Sequence, residues 1–136
     1  MKVQGQCHCG QIRYEAEVDP ATVRVCHCTD CRTFSGGAFR VSVYAPAATM
    51  TMQGEPAVYV KTAQSGSRRA QGFCPTCGTS LFSAAPQNPQ AYMLRIGALK
   101  QCRELTPSIQ IWTRSALSWT QDLHAMEAYE EQGGPL

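Results

Sequence analysis

A mainly β fold is what this sequence predicts, and three observations carry it. Apolar and polar residues alternate with a period of two in several short stretches, turn signals separate those stretches at close spacing, and the 136 residues have the size of one ordinary domain. The clearest alternation is QIRYEAEV, residues 11–18, where Ile12, Tyr14, Ala16 and Val18 face one way and Gln11, Arg13, Glu15 and Glu17 the other. The same period returns in AFRVSV with Phe39, Val41 and Val43, and in AVYV with Val58 and Val60. It recurs in AYMLRI with Tyr92, Leu94 and Ile96, and in SIQIW with Ile109 and Ile111. Asp19-Pro20, Gly36-Gly37, Ala45-Pro46, Gly54-Glu55-Pro56, Ser65-Gly66-Ser67 and Asn88-Pro89 supply the breaks. Residues 1–136 are therefore expected to form one domain without an internal linker. In the tail, Trp119, Leu123 and Met126 predict a short helix that Gly133-Gly134-Pro135 would end. Trp112 and Trp119 are expected in the core.

Composition narrows the function. Hydrophobic residues make up 43% and charged residues 16%, which suits a globular domain and not a disordered one. The net charge of +2, with Arg68-Arg69 the only adjacent basic pair, gives no stripe for a nucleic-acid backbone. No stretch approaches the about 20 apolar residues of a membrane span, and the N-terminus lacks the apolar run of a secretory signal. The expected location is cytoplasmic. In a reducing compartment, eight cysteines read as metal ligands before they read as disulfides.

Seven of those cysteines fall into three groups: Cys7-x-Cys9, Cys26-x-Cys28-x-x-Cys31 and Cys74-x-x-Cys77. Sulfurs around one tetrahedral zinc ion lie about 3.8 Å apart, given Zn–S bonds of about 2.3 Å. A Cys-x-Cys pair in extended backbone reaches this spacing because both side chains share a face. A Cys-x-x-Cys pair reaches it over a turn, here supplied by Pro75 and Gly78. Two such pairs, Cys7/Cys9 and Cys74/Cys77, make a closed four-sulfur site, leaving Cys26, Cys28 and Cys31 as a trio one ligand short. His8 and His27 each sit between two cysteines that share a face, so their rings should point away from the metal. Cys102 remains either a free thiol or a fourth ligand for the trio. An iron–sulfur cluster is the rival to zinc, and disulfides are a distant third. An open position separates catalytic from structural zinc. Three thiolates leave a formal site charge of -1 with a divalent ion and a weak Lewis acid, better suited to capturing a thiol as thiolate than to activating water.

The motifs GQCHCGQIRYEA, CHCTDCRTFSGGAF, GFCPTCGTSLF and PSIQIWTRSALSW occur in that order. Over about residues 3–120 they resemble the glutathione-dependent formaldehyde-activating enzyme family, which includes centromere protein V. The resemblance implies a β-tent of twisted antiparallel sheets and two zinc ions per chain. Cys7, Cys9, Cys74 and Cys77 would hold the structural ion, and Cys26, Cys28 and Cys31 the catalytic one. It also implies a carbon–sulfur lyase that joins glutathione sulfur to formaldehyde as S-hydroxymethylglutathione. Arg32, Ser35 and the Gly36 and Gly37 amides are candidate substrate contacts, with a helix-ending turn and a surface charge as their alternative roles. Two positions depart from the family pattern: Gln110 stands where the late motif often has His, and Lys100-Gln101 where an acidic pair often follows. A non-catalytic zinc module, acting as an interaction scaffold or a glutathione carrier, is the competing expectation.

Overall fold

The computed structural model describes residues 1–133. The chain runs β1 (Lys2–Gln6), β2 (Arg13–Glu17), β3 (Arg24–Cys26), α1 (Thr29–Ser35), β4 (Arg40–Pro46), β5 (Thr51–Gln53) and β6 (Ala57–Thr62). It continues through β7 (Arg68–Phe73), β8 (Ser80–Ala84), β9 (Ala91–Arg95) and β10 (Ile109–Ile111). Strands β1-β2-β5 form a three-stranded sheet, and β10-β3-β4-β9-β8-β7-β6 a seven-stranded one. Every pairing is antiparallel except β10 against β3. The mainly β architecture expected from the alternation is present.

The core lies between the two sheets. Ile12, Tyr14, Ala16 and Val18 are all buried, as their alternation predicts, and cluster with Val3, Val43, Ala45, Phe82, Ala84 and Leu94. Two glycines make this packing possible. A Cβ on Gly5 would lie 2.0 Å from Cζ of Tyr14, and one on Gly72 2.3 Å from Cζ of Phe82, so each ring lies against a bare backbone.

Several expectations fail, most of them where no other described residues cover the side chains concerned. Val58 is 53% and Ile109 40% exposed because β6 and β10 are the two edges of the large sheet. Ile96 leaves the strand for a 3-10 turn, Ile96–Ala98. Trp112 and Trp119 are exposed rather than core. The tail forms two 3-10 turns, Ser118–Gln121 and Leu123–Ala125, instead of an α-helix. Its apolar residues Leu123, Met126 and Tyr129 face solvent, so nothing offsets the cost of nucleating a longer helix. Of its expected stop signal, Gly134 and Pro135 lie outside the described residues.

The helix that forms is α1. Cys28 is its N-cap, its sulfur accepting from Cys31 N at 3.2 Å, and Gly36 ends it in the left-handed region at φ 66°. The helix touches β4, Phe34 meets Tyr59 of β6 with ring centroids 6.0 Å apart, and Asp30 pairs with Lys61 at 2.5 Å. It therefore spans one face of the large sheet. Cross-strand register shows what lies on that face. Cys26 is opposite Arg40, Ser42 opposite Arg95, Met93 opposite Ser83, and Ser83 opposite Gln71. Directly opposed residues share a side. Ser42, Gln71, Ser83 and Arg95 are all buried there, so one face of the sheet is apolar core and the other a buried polar layer.

Candidate metal centres

The N-terminal and late cysteine pairs meet. Sulfurs of Cys7, Cys9, Cys74 and Cys77 all lie within 4.8 Å of one another, with Cys7–Cys9 at 3.6 Å and Cys9–Cys74 at 3.8 Å. These are the edges of a tetrahedral site and far exceed an S–S bond of about 2.05 Å. Each pair is shaped by a turn closing on a positive-φ glycine. Gly10 N donates to Cys7 O at 3.0 Å, and Gly78 N to Cys74 O at 2.9 Å. The turns are then tied together, since Thr79 Oγ1 accepts from His8 N at 3.0 Å and Thr76 donates to Gln11. Ile12 N points at Cys7 sulfur at 3.2 Å, and the Thr79 hydroxyl, 3.1 Å from Cys77, brings that thiol down to about 5. Cys7 and Cys74 belong to the core itself.

Sulfurs of Cys26, Cys28 and Cys31 form the second set, also within 4.8 Å of one another. Cys26 ends β3, Cys28 caps α1 and Cys31 lies in its first turn, so the set is built where a strand passes into a helix. Hydrogen bonding from Cys31, assisted by Cys28 and the charge of Arg40, holds Cys26 down at about 5. The same bond and burial push Cys31 up. Cys102, exposed on a 3-10 turn, joins neither set. Nor do the histidines: His8 is exposed, and His27 is buried with Nε2 2.8 Å from Gln110 Oε1 and its ring edge-on to Phe39. Gln110, one of the residues in which the chain departs from the expected pattern, is thus the hydrogen-bond partner of the histidine that sits between Cys26 and Cys28 in sequence.

The candidate substrate contacts Arg32, Ser35, Gly36 and Gly37 make hydrogen bonds within the chain. Arg32 donates to Ser115 O at 2.7 Å, a structural bond that fastens α1 to the late segment. Gly36 N is spent on Arg32 O at 3.1 Å as the helix cap, and Gly37 N on Ser35 Oγ at 3.3 Å. The Ser-Gly-Gly run is a helix-ending turn. Two cavities flank the trio's elements. One of about 330 Å³ is lined by Cys28, Asp30, Lys61, Trp112, Arg114 and Ser115. In it the Arg114 guanidinium sits 5.0 Å from the Trp112 ring centroid. The other, about 320 Å³, is lined by Ser35, Phe39, Arg40, Val41, Arg95 and Ile96 among others. Lys61, Arg114, Arg40 and Arg95 were not singled out from the sequence. For Lys61, Arg40 and Arg95 the only signal was a charged residue in or beside a strand pattern, which ordinarily means a solvated face, and Arg114 lies on the turn after β10.

Fold and thiol geometry define a class, a mainly β protein with one four-cysteine and one three-cysteine set, each placed to hold a metal ion. Within it the chain belongs to the family described as glutathione-dependent formaldehyde-activating enzyme, whose sequence profile matches residues 2–115. A Halomonas elongata protein provisionally named as such an enzyme is 27% identical over 95 residues, 66% of this chain and 60% of that protein's length. An uncharacterized lyase of Schizosaccharomyces pombe is 23% identical over 108 residues, 79% of this chain and 76% of its own. A crystal structure of a Rhodobacter sphaeroides protein superposes with a TM-score of 0.60 at 23% identity, covering 79% of this chain and 98% of that one, which speaks for the fold.

Proposed function

We propose that this protein is a zinc-dependent carbon–sulfur lyase that binds glutathione or a similar thiol and forms or cleaves its S-hydroxymethyl adduct. The observation that carries the reading is the three-cysteine set, whose Cys28 opens onto a cavity bearing Lys61 and Arg114. The donor set fits zinc: sulfur ligands alone, four in one site and three in the other. Cys7, Cys9, Cys74 and Cys77 would hold a structural ion, and Cys26, Cys28 and Cys31 the ion at the reactive centre. When bound by the trio, zinc would supply the charge that keeps a substrate thiol as thiolate at neutral pH.

The chain's own residues then do the remaining work. Glutathione carries two carboxylates and an ammonium group; Arg114 supplies positive charge on the cavity wall to orient a carboxylate, beside the Lys61–Asp30 ion pair. Trp112, stacked under Arg114, gives an apolar surface for the peptide. In the forward direction sulfur attacks the aldehyde carbon and the C–S bond forms. The carbonyl π electrons move to oxygen, which takes the proton that sulfur gave up. Holding both partners in one cavity supplies much of the gain, since formaldehyde and thiols combine unaided.

Metal analysis of reduced protein is expected to find about two zinc ions per chain; iron with sulfide, or a single ion, would overturn the assignment. Calorimetry should show glutathione binding and S-methylglutathione binding much more weakly. Equal affinities would remove thiol capture, and binding of neither would favour a scaffold.

A further inference from the structure

The 320 Å³ cavity at the other end of the buried polar layer contains a charge imbalance. Arg95 is 6% exposed, and Arg40 and Arg95 both line the cavity. Both donate to the same acceptor, Gln71 Oε1, at 3.0 and 3.2 Å. Arg95 Nη1 also donates to Ser42 Oγ at 2.8 Å and to Met93 O at 3.0 Å. Every one of these acceptors is neutral. Among the described residues the one ion pair is Lys61–Asp30, so no carboxylate answers either guanidinium.

Two donors in this cluster are also left over. Arg95 Nε and Gln71 Nε2 are buried with no hydrogen-bond partner. Because Gln71 Oε1 serves both arginines, its amide is fixed with the NH₂ outward from them and cannot turn to satisfy the deficit. Buried donors without acceptors are rare in folded proteins and mark a missing partner. Burial and the repulsion of Arg40 press the Arg95 guanidinium down to about 9, still charged at neutral pH.

The nearest compensating charge is the trio, whose Cys26 lies directly across from Arg40 in the β3–β4 register. Three thiolates around a divalent ion carry a formal charge of -1, which offsets one arginine and leaves the other. The remaining wall carries Phe39, Val41 and Ile96, while Ser35 and Ser80 add hydroxyls. We propose that this cavity is a carboxylate-binding subsite, taking a small monocarboxylate whose anionic end meets Arg40 and Arg95, the two arginines that share Gln71. The carboxylate belongs either to the thiol or to an acid-bearing aldehyde partner such as glyoxylate. The subsite does not depend on the thiol-capture reading.

The test uses zinc-replete full-length protein labelled with ¹⁵N-arginine and titrated with butyrate, then with its neutral isostere butyramide. The Arg95 Nε–H resonance, assigned by its loss in Arg95→Lys, should shift saturably with butyrate and hardly at all with butyramide. Arg40→Gln should weaken butyrate binding about tenfold, the loss of one charge-assisted hydrogen bond. No saturable shift, an equal response to butyramide, or unchanged affinity in Arg40→Gln overturns the subsite. Competition then identifies the source. Glutathione displacing butyrate assigns the carboxylate to the thiol, and glyoxylate displacing it where glutathione does not assigns it to the aldehyde. Failure of the protein to bind glutathione at all would count against the proposed lyase and leave the butyrate result standing.

Discussion

Replacing Cys74 with serine and replacing Cys28 with serine each remove one sulfur, yet they should damage the protein in different ways. Cys74 is fully buried, belongs to the apolar core, and lies 3.8 Å from a cysteine 65 positions earlier. A metal at that site cross-links the β1 end of the chain to the β7–β8 turn. Structural zinc is worth about 10–16 kcal/mol of apparent binding energy, whereas a domain is stable by only about 5–15 kcal/mol. Losing the site therefore removes as much as the fold has, and Cys74→Ser should show no cooperative melt. Cys28 spans a local cluster, and its sulfur caps α1 through the Cys31 amide. Serine is among the best N-cap residues, so the cap survives the substitution. A cost of about 1–2 kcal/mol remains for the weakened trio, with Tm lowered by about 3–10 °C for a domain of this size. Circular dichroism melts with and without added zinc, metal analysis, and an S-hydroxymethylglutathione exchange assay by NMR separate the two. A Cys28→Ser protein that melts as badly as Cys74→Ser, or that keeps its exchange activity, refutes the division into structural and reactive sites.

Gly72→Ala should cost about 1–3 kcal/mol, read as a lower Tm, because its Cβ would meet a Phe82 ring already braced edge-on against Tyr92 at 5.0 Å. Gly97→Ala, with nothing within 4 Å of its Cβ, should change stability by less than about 0.5 kcal/mol; equal Tm losses would contradict the packing argument. Trp112→Ala should leave the melt unchanged and weaken glutathione about two- to fivefold in calorimetry, since the exposed ring serves the cavity through its contact with Arg114. Without metal, the Cys26 and Cys77 thiols are held near 5, so both are thiolates above that pH and are protonated as pH falls through it. Ultraviolet thiolate absorbance of the reduced, metal-free protein should accordingly persist at pH 7 and fall as pH approaches about 5, and no thiolate signal at pH 7 would contradict the depressed thiols.

What could be read from the sequence was what local geometry fixes. The alternation at Ile12, Tyr14, Ala16 and Val18 names a buried face because β2 has the large sheet on one side and solvent on the other. The same rule misplaces Val58 and Ile109, since a period of two tells which residues share a side but not whether anything covers it. It also leaves α1 unread. Its seven residues, capped by a cysteine, lack the usual Ser or Asp start and are too short for an apolar stripe to declare itself.

The candidate site divides along the same line. Metal-ligand spacing is a property of three to six consecutive residues, so both cysteine sets could be assembled by counting, and the sulfurs lie together accordingly. The groups that would choose a substrate come from separate segments. Lys61 arrives on β6, Arg114 on the turn after β10, Arg40 on β4, Arg95 on β9 and Gln71 on β7. In each strand the charged or amide residue reads as the wet side of an amphipathic pattern. Only the placement of α1 across that side turns it into an interior. A strand such as FRVSV thus has two buried faces, one packed with valines against the small sheet and one carrying Arg40 and Ser42 beneath the helix. Substrate choice within this family should accordingly vary through those outward-reading positions while the cysteines stay fixed, because the metal sites need only local geometry and the cavities need the whole sheet.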